Sequence, residues 1–158
     1  MRVAILTVSD SVSQGRAKDA SGPALAERCR AMGWEVTATH VVADEMHGIE
    51  ARLIEIADME MADVILTTGG TGIGPRDVTP EATVSVSMKI LPGIAEVMRA
   101  KGREMTPRAV LSRGVAGVRG RTLIVNLPGS PRGALESLDA VAELLPHAVA
   151  VLHGARHE

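Results

Sequence analysis

The sequence predicts a three-layer α/β/α sandwich with a mostly parallel sheet. Short apolar segments alternate along the chain with longer segments of helical periodicity, which is typical of parallel strands joined by right-handed crossovers. Loops rich in Ser, Asp, Gly and Asn follow four predicted strands, after Val8, Val42, Thr68 and Leu127. Because ligands bind at the carboxyl ends of such strands, we expect these four loops to form one site.

The first half of the chain predicts three strands and two helices. Residues 2–8 form an apolar run typical of a buried strand, and residues 9–22 form a polar loop. Pro23 suits the first turn of a helix and Gly33 suits its end. The remaining elements are a β-branched strand over 34–42, an amphipathic helix over 47–60 and a strand over 62–68.

The second half predicts three helical regions and at least one strand. Thr79 is expected to cap a helix that runs to about residue 90, and a helix over 93–104 should bury Ile94, Val97 and Met98. Residues 111–118 fit either strand or loop, whereas 121–127 predict a strand. The last helical region covers 132–153 and is expected to break near Pro146.

Length and composition predict one cytoplasmic domain over residues 1–158. The hydrophobic fraction is 46%, yet no apolar run approaches the roughly 20 residues of a bilayer span, so we expect no membrane contact. The N-terminus lacks the features of a signal peptide. Cys29 lies on an apolar helical stripe, and we predict that it packs in the core.

The scarcity of aromatic residues limits the classes of partner. The chain has no Tyr or Phe and only Trp34, so it cannot build a platform on which bases stack, and we predict no nucleic-acid partner. Residues 99–132 carry eight basic side chains against one acidic, while residues 35–63 carry eight acidic against one basic. This asymmetry fits either an anionic ligand beside the basic segment or ordinary solvated helix faces.

A glycine-rich loop follows the third predicted strand. Gly69, Gly70 and Gly72, together with Thr71, would let phosphate oxygens approach the backbone N–H groups ahead of a helix N-terminus. The loop is neither a Walker A motif nor a dinucleotide-binding fingerprint, because neither the Gly-Lys-Ser/Thr sequence nor the third glycine follows. A purely structural turn is the alternative, but Arg76 and Asp77 add an anion-binding and a cation-binding side chain.

Polar side chains at the other strand ends complete the predicted site. Asp44 and Asp77 should face the same sheet edge and could hold Mg²⁺ with substrate phosphates, although each could instead cap a helix. The other polar side chains at these ends are Ser9, Asp10 and Ser11 after the first strand, and Asn126 and Ser130 after the last. Each could contact a ligand or could instead only stabilise a turn.

Two long motifs resemble the MogA/MoaB family of molybdenum-cofactor biosynthesis proteins. Residues 67–82 (TTGGTGIGPRDVTPEA) and 111–131 (LSRGVAGVRGRTLIVNLPGSP) are similar to its signatures, as are 7–11 and 19–23 to its opening loop. The chain looks most like the family's adenylyltransferases. The resemblance implies a three-layer α/β fold, a homotrimer, and transfer of AMP from Mg-ATP to the terminal phosphate of molybdopterin, with possible hand-off to a molybdenum-insertion protein.

The resemblance also implies roles for individual residues. Asp44 and Asp77 match the catalytic aspartates and would hold Mg²⁺, the glycine loop would cradle phosphate, and Arg76 or Arg113 would neutralise the departing pyrophosphate. The pterin and nucleotide pocket would be lined by Ser9, Asp10, Ser11, Ser112, Asn126, Pro128, Gly129 and Ser130. A non-catalytic molybdopterin carrier and a nucleotide-binding regulatory module are the competing hypotheses.

Overall fold

Six strands of the computed structural model, which describes residues 1–156, form a single sheet in the order β2-β1-β3-β6-β5-β4. Strands β1 (Arg2–Val8), β2 (Glu35–Val42), β3 (Val64–Thr68) and β6 (Thr122–Leu127) are parallel. Strands β5 (Ala116–Arg119) and β4 (Lys89–Ile90) add an antiparallel edge. The predicted mostly parallel sheet is therefore confirmed.

The register of the parallel strands brings their carboxyl ends level. Val8 pairs with Val42, and Thr68 pairs with both Thr7 and Leu127. The loops after all four strands consequently leave the same edge of the sheet, as the sequence predicts.

Helices cover both faces of this sheet. On one face, α2 (Ser21–Ala31), α5 (Pro92–Met105), α6 (Pro131–Val141) and α7 (Leu144–Leu152) enclose one apolar cluster. On the other, α3 (Met46–Asp58) and α4 (Thr79–Val86) enclose a second. Successive residues of a strand serve opposite clusters, as Val3 and Ala4 do, which explains the nearly continuous apolar runs of the central strands.

Burial of Cys29 confirms its predicted place in the core. Its side chain is fully buried in the cluster beneath α2, and burial raises the pKa of the thiol to about 11.

Among residues 1–156, none of the helices combines the length and hydropathy needed to cross a bilayer.

Several predictions for individual elements are wrong, one because of a local helix cap and another because of a contact distant in sequence. The predicted loop 9–22 contains a short helix, α1 (Asp10–Ser13), for which Ser9 Oγ accepts a hydrogen bond from Val12 N at 3.3 Å. Helix α4 ends at Val86 rather than near residue 90, because Met88 N donates to Val118 O and the chain then pairs with β5. Val97, expected in the core, is 41% exposed.

The ambiguous and interrupted segments of the second half are now defined. A 3₁₀ helix (Pro107–Leu111) precedes β5, so residues 111–118 contain the end of a helix and most of a strand. The break in the last helical region falls between α6 and α7 at residues 142–143. Pro146 lies in the first turn of α7, where its missing N–H leaves no helical bond unmade.

Asn126 joins three elements beneath the site edge. Its Nδ2 donates to Thr67 Oγ1 (3.0 Å) and Thr83 Oγ1 (2.9 Å), and its Oδ1 accepts from Val115 N (3.2 Å). The side chain is almost wholly buried, so it connects β3, α4 and the start of β5 through satisfied hydrogen bonds.

Replacement of Asn126 by Ala should destabilise the fold strongly. The change leaves Thr67 Oγ1, Thr83 Oγ1 and Val115 N without their hydrogen-bond partner. We therefore expect the free energy of unfolding to fall by about 3 kcal/mol. Urea denaturation followed by circular dichroism measures it. Thr39→Ala, on the exposed side of the edge strand β2, is the control and should change stability by less than about 0.5 kcal/mol. Equal midpoints for the two variants would contradict the assigned role.

Candidate active site at the carboxyl edge of the sheet

The glycine loop lies against the ends of two strands at distances that exclude side chains. Gly69 has φ +102°, its N–H donates to Leu127 O at 3.1 Å, and a Cβ there would lie 2.2 Å from Val8 O. Gly70 has φ +67°, and a Cβ there would lie 2.3 Å from Thr79 Oγ1. Both positions need glycine for backbone conformation as well as for space.

Thr79 locks the loop to the start of α4. Its Oγ1 donates to Gly69 O at 2.9 Å and its N–H donates to Gly70 O at 3.1 Å. The prediction that Thr79 caps the helix is wrong, because α4 begins at Thr79 itself and Val78 occupies the N-cap position without a side-chain bond. The hydroxyl fixes the loop instead.

Arg113 braces the loop from the other motif. Its Nε donates to Gly72 O (2.8 Å), its Nη2 donates to Asp77 O (2.9 Å), and its Nη1 pairs with Glu81. The backbone N–H of Arg113 also donates to Thr71 O at 2.8 Å. The guanidinium that the sequence offered to pyrophosphate is thus engaged within the protein, where it holds the shape of the loop.

Asp44 and Asp77 flank the loop, and each has one carboxylate oxygen fixed by a backbone N–H. Asp44 Oδ2 accepts from Asp10 N at 2.8 Å, and Asp77 Oδ2 accepts from Gly74 N at 2.9 Å. Asp44 Oδ1 lies 3.1 Å from the position of a Cβ on Gly70, and Asp77 Oδ2 lies 2.8 Å from that on Gly72. Within residues 1–156, no protein donor bonds the second oxygen of either carboxylate.

Burial and neighbouring charge raise the pKa of Asp44. Desolvation is the largest cause, and the negative charges of Asp10 and Asp77 add to it, while the hydrogen bond from Asp10 N and the charge of Arg76 oppose it. The repulsion from Asp77 indicates that the two carboxylates share one electrostatic environment. Such a pair favours a cation between or beside its members.

Asp10 and Arg76 form an ion pair beside these carboxylates. Arg76 Nε donates to Asp10 Oδ2 at 3.0 Å and Nη2 donates to Oδ1 at 3.1 Å. The hydrogen bonds and charge of Arg76 hold the pKa of Asp10 below its ordinary range. The hydroxyls of Ser9 and Ser11 lie 3.2 Å apart in the same loop.

A cavity of about 220 Å³ opens on the β6 side of the same edge, between α5, the 3₁₀ helix and α6. The predicted residues Ser112, Asn126, Pro128 and Ser130 border it. Gly129, between the cavity residues Pro128 and Ser130, packs against the glycine loop, since a Cβ there would lie 3.3 Å from Gly69 Cα. The predicted site residues therefore divide into an acidic side that flanks the glycine loop and a cavity side that meets the loop at Gly129.

Three of these predicted ligand residues have their side-chain polar groups engaged by the protein, the first being Ser112, whose Oγ accepts from Gly114 N at 3.3 Å. Ser130 Oγ accepts from Gly133 N at 3.1 Å as the N-cap of α6. The amide of Asn126 makes the three internal bonds described above, so this residue contributes shape to the cavity rather than a free amide. The turn role that the sequence left open for Ser130 is present in the structure.

Two arginines at the cavity were not among the predicted site residues. Arg99 Nη1 donates to Gly114 O at 3.1 Å, while Arg108 borders the cavity from the 3₁₀ helix. Both arginines belong to the basic segment 99–132, so its excess of positive charge is the sequence feature that could have indicated them. Part of that segment serves structure: Arg119 forms a two-bond ion pair with Asp58, at 2.8 and 2.9 Å.

The acidic side fits a magnesium ion that is shared with a substrate. Within residues 1–156, no group of three or more His, Cys, Asp or Glu side chains could hold a metal ion. Mg²⁺ is commonly bound by one or two carboxylates, with water and phosphate oxygens completing its octahedron. The open oxygens of Asp44 and Asp77 match that donor set.

Comparison with known proteins establishes the family. The family model described as "Probable molybdopterin binding domain" matches residues 4–147. The chain belongs to this molybdopterin-binding domain family. A curated member, the molybdopterin adenylyltransferase of Helicobacter pylori (strain J99), is 41% identical over 156 residues, which cover 98% of this chain and 89% of that protein.

Solved structures of family members share the fold over nearly the whole chain. The molybdopterin biosynthesis enzyme MoaB from Thermus thermophilus is 52% identical, with a TM-score of 0.92 and 99% coverage of both chains. The Mog protein from Mycobacterium ulcerans is 41% identical, with a TM-score of 0.89, and the match covers 95% of this chain and 97% of that one. The motifs that suggested the family from sequence therefore led to the correct assignment.

Replacement of Asp44 by Asn should stabilise this family member at neutral pH. A carboxyl with a raised folded-state pKa costs stability above that pKa, and the cost disappears as the pH falls through it. We expect the Tm of Asp44→Asn to exceed that of the parent by about 2 °C near pH 7.5, and the difference to vanish towards about pH 4.

Differential scanning fluorimetry across this pH range measures the effect. The control is Asp139→Asn, which removes an exposed carboxylate of α6 that pairs with Arg28. This variant should show no increase in Tm at neutral pH. A lower Tm for Asp44→Asn than for the parent at neutral pH would contradict the raised pKa.

Proposed function

We infer that the chain is a molybdopterin adenylyltransferase, which transfers AMP from ATP to the terminal phosphate of molybdopterin and releases pyrophosphate. The observation that carries this inference is the pair of half-satisfied carboxylates on either side of the glycine loop. The curated family members of similar length bear this activity in their names. The cavity beside the loop provides room for an organic group next to the phosphate-binding backbone.

The reaction joins two phosphates and needs positioning more than acid–base chemistry. A phosphate oxygen of molybdopterin attacks the α-phosphorus of ATP, the new O–P bond forms, and the bond from the α-phosphorus to the bridging oxygen breaks as pyrophosphate leaves. Because the attacking phosphate is already ionised, no side chain has to remove a proton. Catalysis then rests on in-line alignment and on stabilisation of charge at the phosphates.

The acidic side, the glycine loop and the cavity side would each hold one part of the two substrates in line. Asp44 and Asp77 would hold Mg²⁺, which when bound neutralises charge on the triphosphate. The loop from Gly69 to Gly72 would receive phosphate oxygens on its backbone. The cavity bordered by Ser112, Pro128 and Ser130 would receive the pterin end of the acceptor, and Arg99 and Arg108 give that side a positive potential.

A non-catalytic carrier is the competing function for the same fold. A carrier of an anionic pterin gains nothing from negative charge at its site, and the partly buried Asp44 is held there at a cost to stability. Two carboxylates with open oxygens favour the enzyme. A nucleotide-binding regulatory module would use the glycine loop but would not need the adjoining cavity.

The assembly and the partner are part of the proposal. We propose a homotrimer that works in the cytoplasm and passes the adenylylated product to a molybdenum-insertion protein. Exposed apolar side chains on β4, α5 and the 3₁₀ helix support self-association, since residues of this kind are usually covered at interfaces. They are Ile90, Val97, Met105, Val110 and Leu111.

Replacement of Asp77 by Asn should reduce turnover by about 10²- to 10³-fold, because it removes one of two charges that hold the phosphate-bound cation. The measurement is pyrophosphate release and adenylylated pterin after incubation with molybdopterin and Mg-ATP. Asp139→Asn is again the control and should retain full activity. Turnover of Asp77→Asn equal to that of the parent would disprove the role of Asp77. Retention of molybdopterin by the parent without any adduct would establish the carrier.

The purified chain should have a solution mass near three times its 16.5 kDa, as measured by multi-angle light scattering. Ile90→Asp places a charge on the proposed apolar interface and should shift the mass towards the monomer. Met59→Asp is the matched control, because Met59 is equally apolar and 69% exposed but lies just after α3. A monomeric parent would contradict the trimer.

A further inference from the structure

The carboxylate of Asp10 is used wholly inside the protein. Oδ1 accepts from Asp44 N at 2.9 Å and from Arg76 Nη2 at 3.1 Å, while Oδ2 accepts from Arg76 Nε at 3.0 Å. The side chain is 24% exposed. Three charge-assisted bonds leave this carboxylate poorly suited to contact an anionic substrate.

Asp10 and Asp44 exchange backbone-to-carboxylate hydrogen bonds. Asp10 N donates to Asp44 Oδ2 at 2.8 Å, in return for the bond from Asp44 N to Asp10 Oδ1. Asp10 is the first residue of α1, so its N–H points out of the helix and has no intrahelical acceptor. This reciprocal pair fixes the plane of the Asp44 carboxylate and leaves Oδ1 on the side of Gly70.

Arg76 connects the same carboxylate to the glycine loop. Its guanidinium binds Asp10 through two nitrogens, although the side chain is 62% exposed. Arg76 directly precedes Asp77, so the ion pair joins the loop after β1 to the segment that carries the second catalytic aspartate. Asp10 therefore bonds Asp44 directly and also bonds Arg76, the residue that immediately precedes Asp77.

We propose that Asp10 is a positioning residue that presets Asp44 and Asp77 for a metal–nucleotide complex. This proposal deepens the adenylyltransferase function and rests on it. It assigns Asp10 an indirect role in place of the substrate contact predicted from sequence. It also predicts that Asp10 acts on nucleotide binding without acting on the pterin side.

The test measures binding of Mn²⁺–ATP, without molybdopterin, by electron paramagnetic resonance. Asp10→Ala should weaken binding by about 10- to 100-fold, the usual effect of removing a group that orients a metal ligand. In turnover, the KM for Mg-ATP should rise accordingly, while the KM for molybdopterin should change less than about twofold. If Asp10 only supported the fold, its substitution would lower the Tm without raising the KM for Mg-ATP more than the KM for molybdopterin.

A control with the same chemistry exists elsewhere in the chain. Asp58 also accepts two hydrogen bonds from one arginine, Arg119, but lies at the end of α3, in none of the loops at the carboxyl edge. Asp58→Ala should bind Mn²⁺–ATP as the parent does. Asp10→Asn keeps the shape of the side chain and an oxygen for Asp44 N while losing the two-bond acceptor, so it provides a second variant should Asp10→Ala fail to fold; we expect about tenfold weaker binding.

The outcomes separate this proposal from the function on which it rests. Parent protein that binds Mn²⁺–ATP and releases pyrophosphate, combined with parent-like binding by the Asp10 variants, overturns the positioning role alone. A parent that neither binds Mn²⁺–ATP nor releases pyrophosphate overturns both. Additivity also discriminates: Arg76→Gln combined with Asp10→Asn should bind no more weakly than Asp10→Asn alone, because the two residues act as one unit.

Discussion

The backbone of the glycine loop contacts the ends of two neighbouring strands, and the arrangement of the site depends on that approach. Gly69 can lie against Val8 O and beside Gly129 only because none of the contacting surfaces carries a side chain there. This proximity lets the loops after β1, β3 and β6 meet at one edge. A side chain at Gly69 would push the loop away from Val8 O and from Gly129, which lies between the cavity residues Pro128 and Ser130.

The second signature motif serves chiefly to hold the first. Arg113 binds two carbonyl groups of the glycine loop and that of Asp77 through its side chain and backbone, and Asn126 joins β3 to α4 beneath the loop. Residues of this kind resemble ligands in a sequence because Arg and Asn are common in binding sites. Here their donors are used on the protein, and the rigidity they provide fixes the directions of the loop's backbone amides.

Ionisation of Asp44 costs free energy of folding, and a site with only a structural role would not need a carboxylate there. Asp44 is held partly buried near two other carboxylates, which raises its pKa and opposes its ionisation. Arg76 offsets part of that repulsion. The arrangement is understandable if a cation and a polyphosphate complete the site, because the ion then supplies the missing positive charge while the cavity side, with Arg99 and Arg108, faces the acceptor.

The sequence by itself determined the parallel α/β class, the edge of the sheet at which four polar loops meet and, through two long motifs, the family. These features follow from local periodicity, from the alternation of strands and helices along the chain and from glycine spacing, all of which can be read from near neighbours. Tertiary structure alone decided that α4 stops at Val86, that Thr79 and Arg113 brace the loop, and that Asp10 bonds Asp44 and Arg76. Each of these depends on partners between 9 and 66 residues away. A hydrogen bond satisfies the same donor whether its acceptor is a ligand or a distant carbonyl, so only the folded chain distinguishes the two.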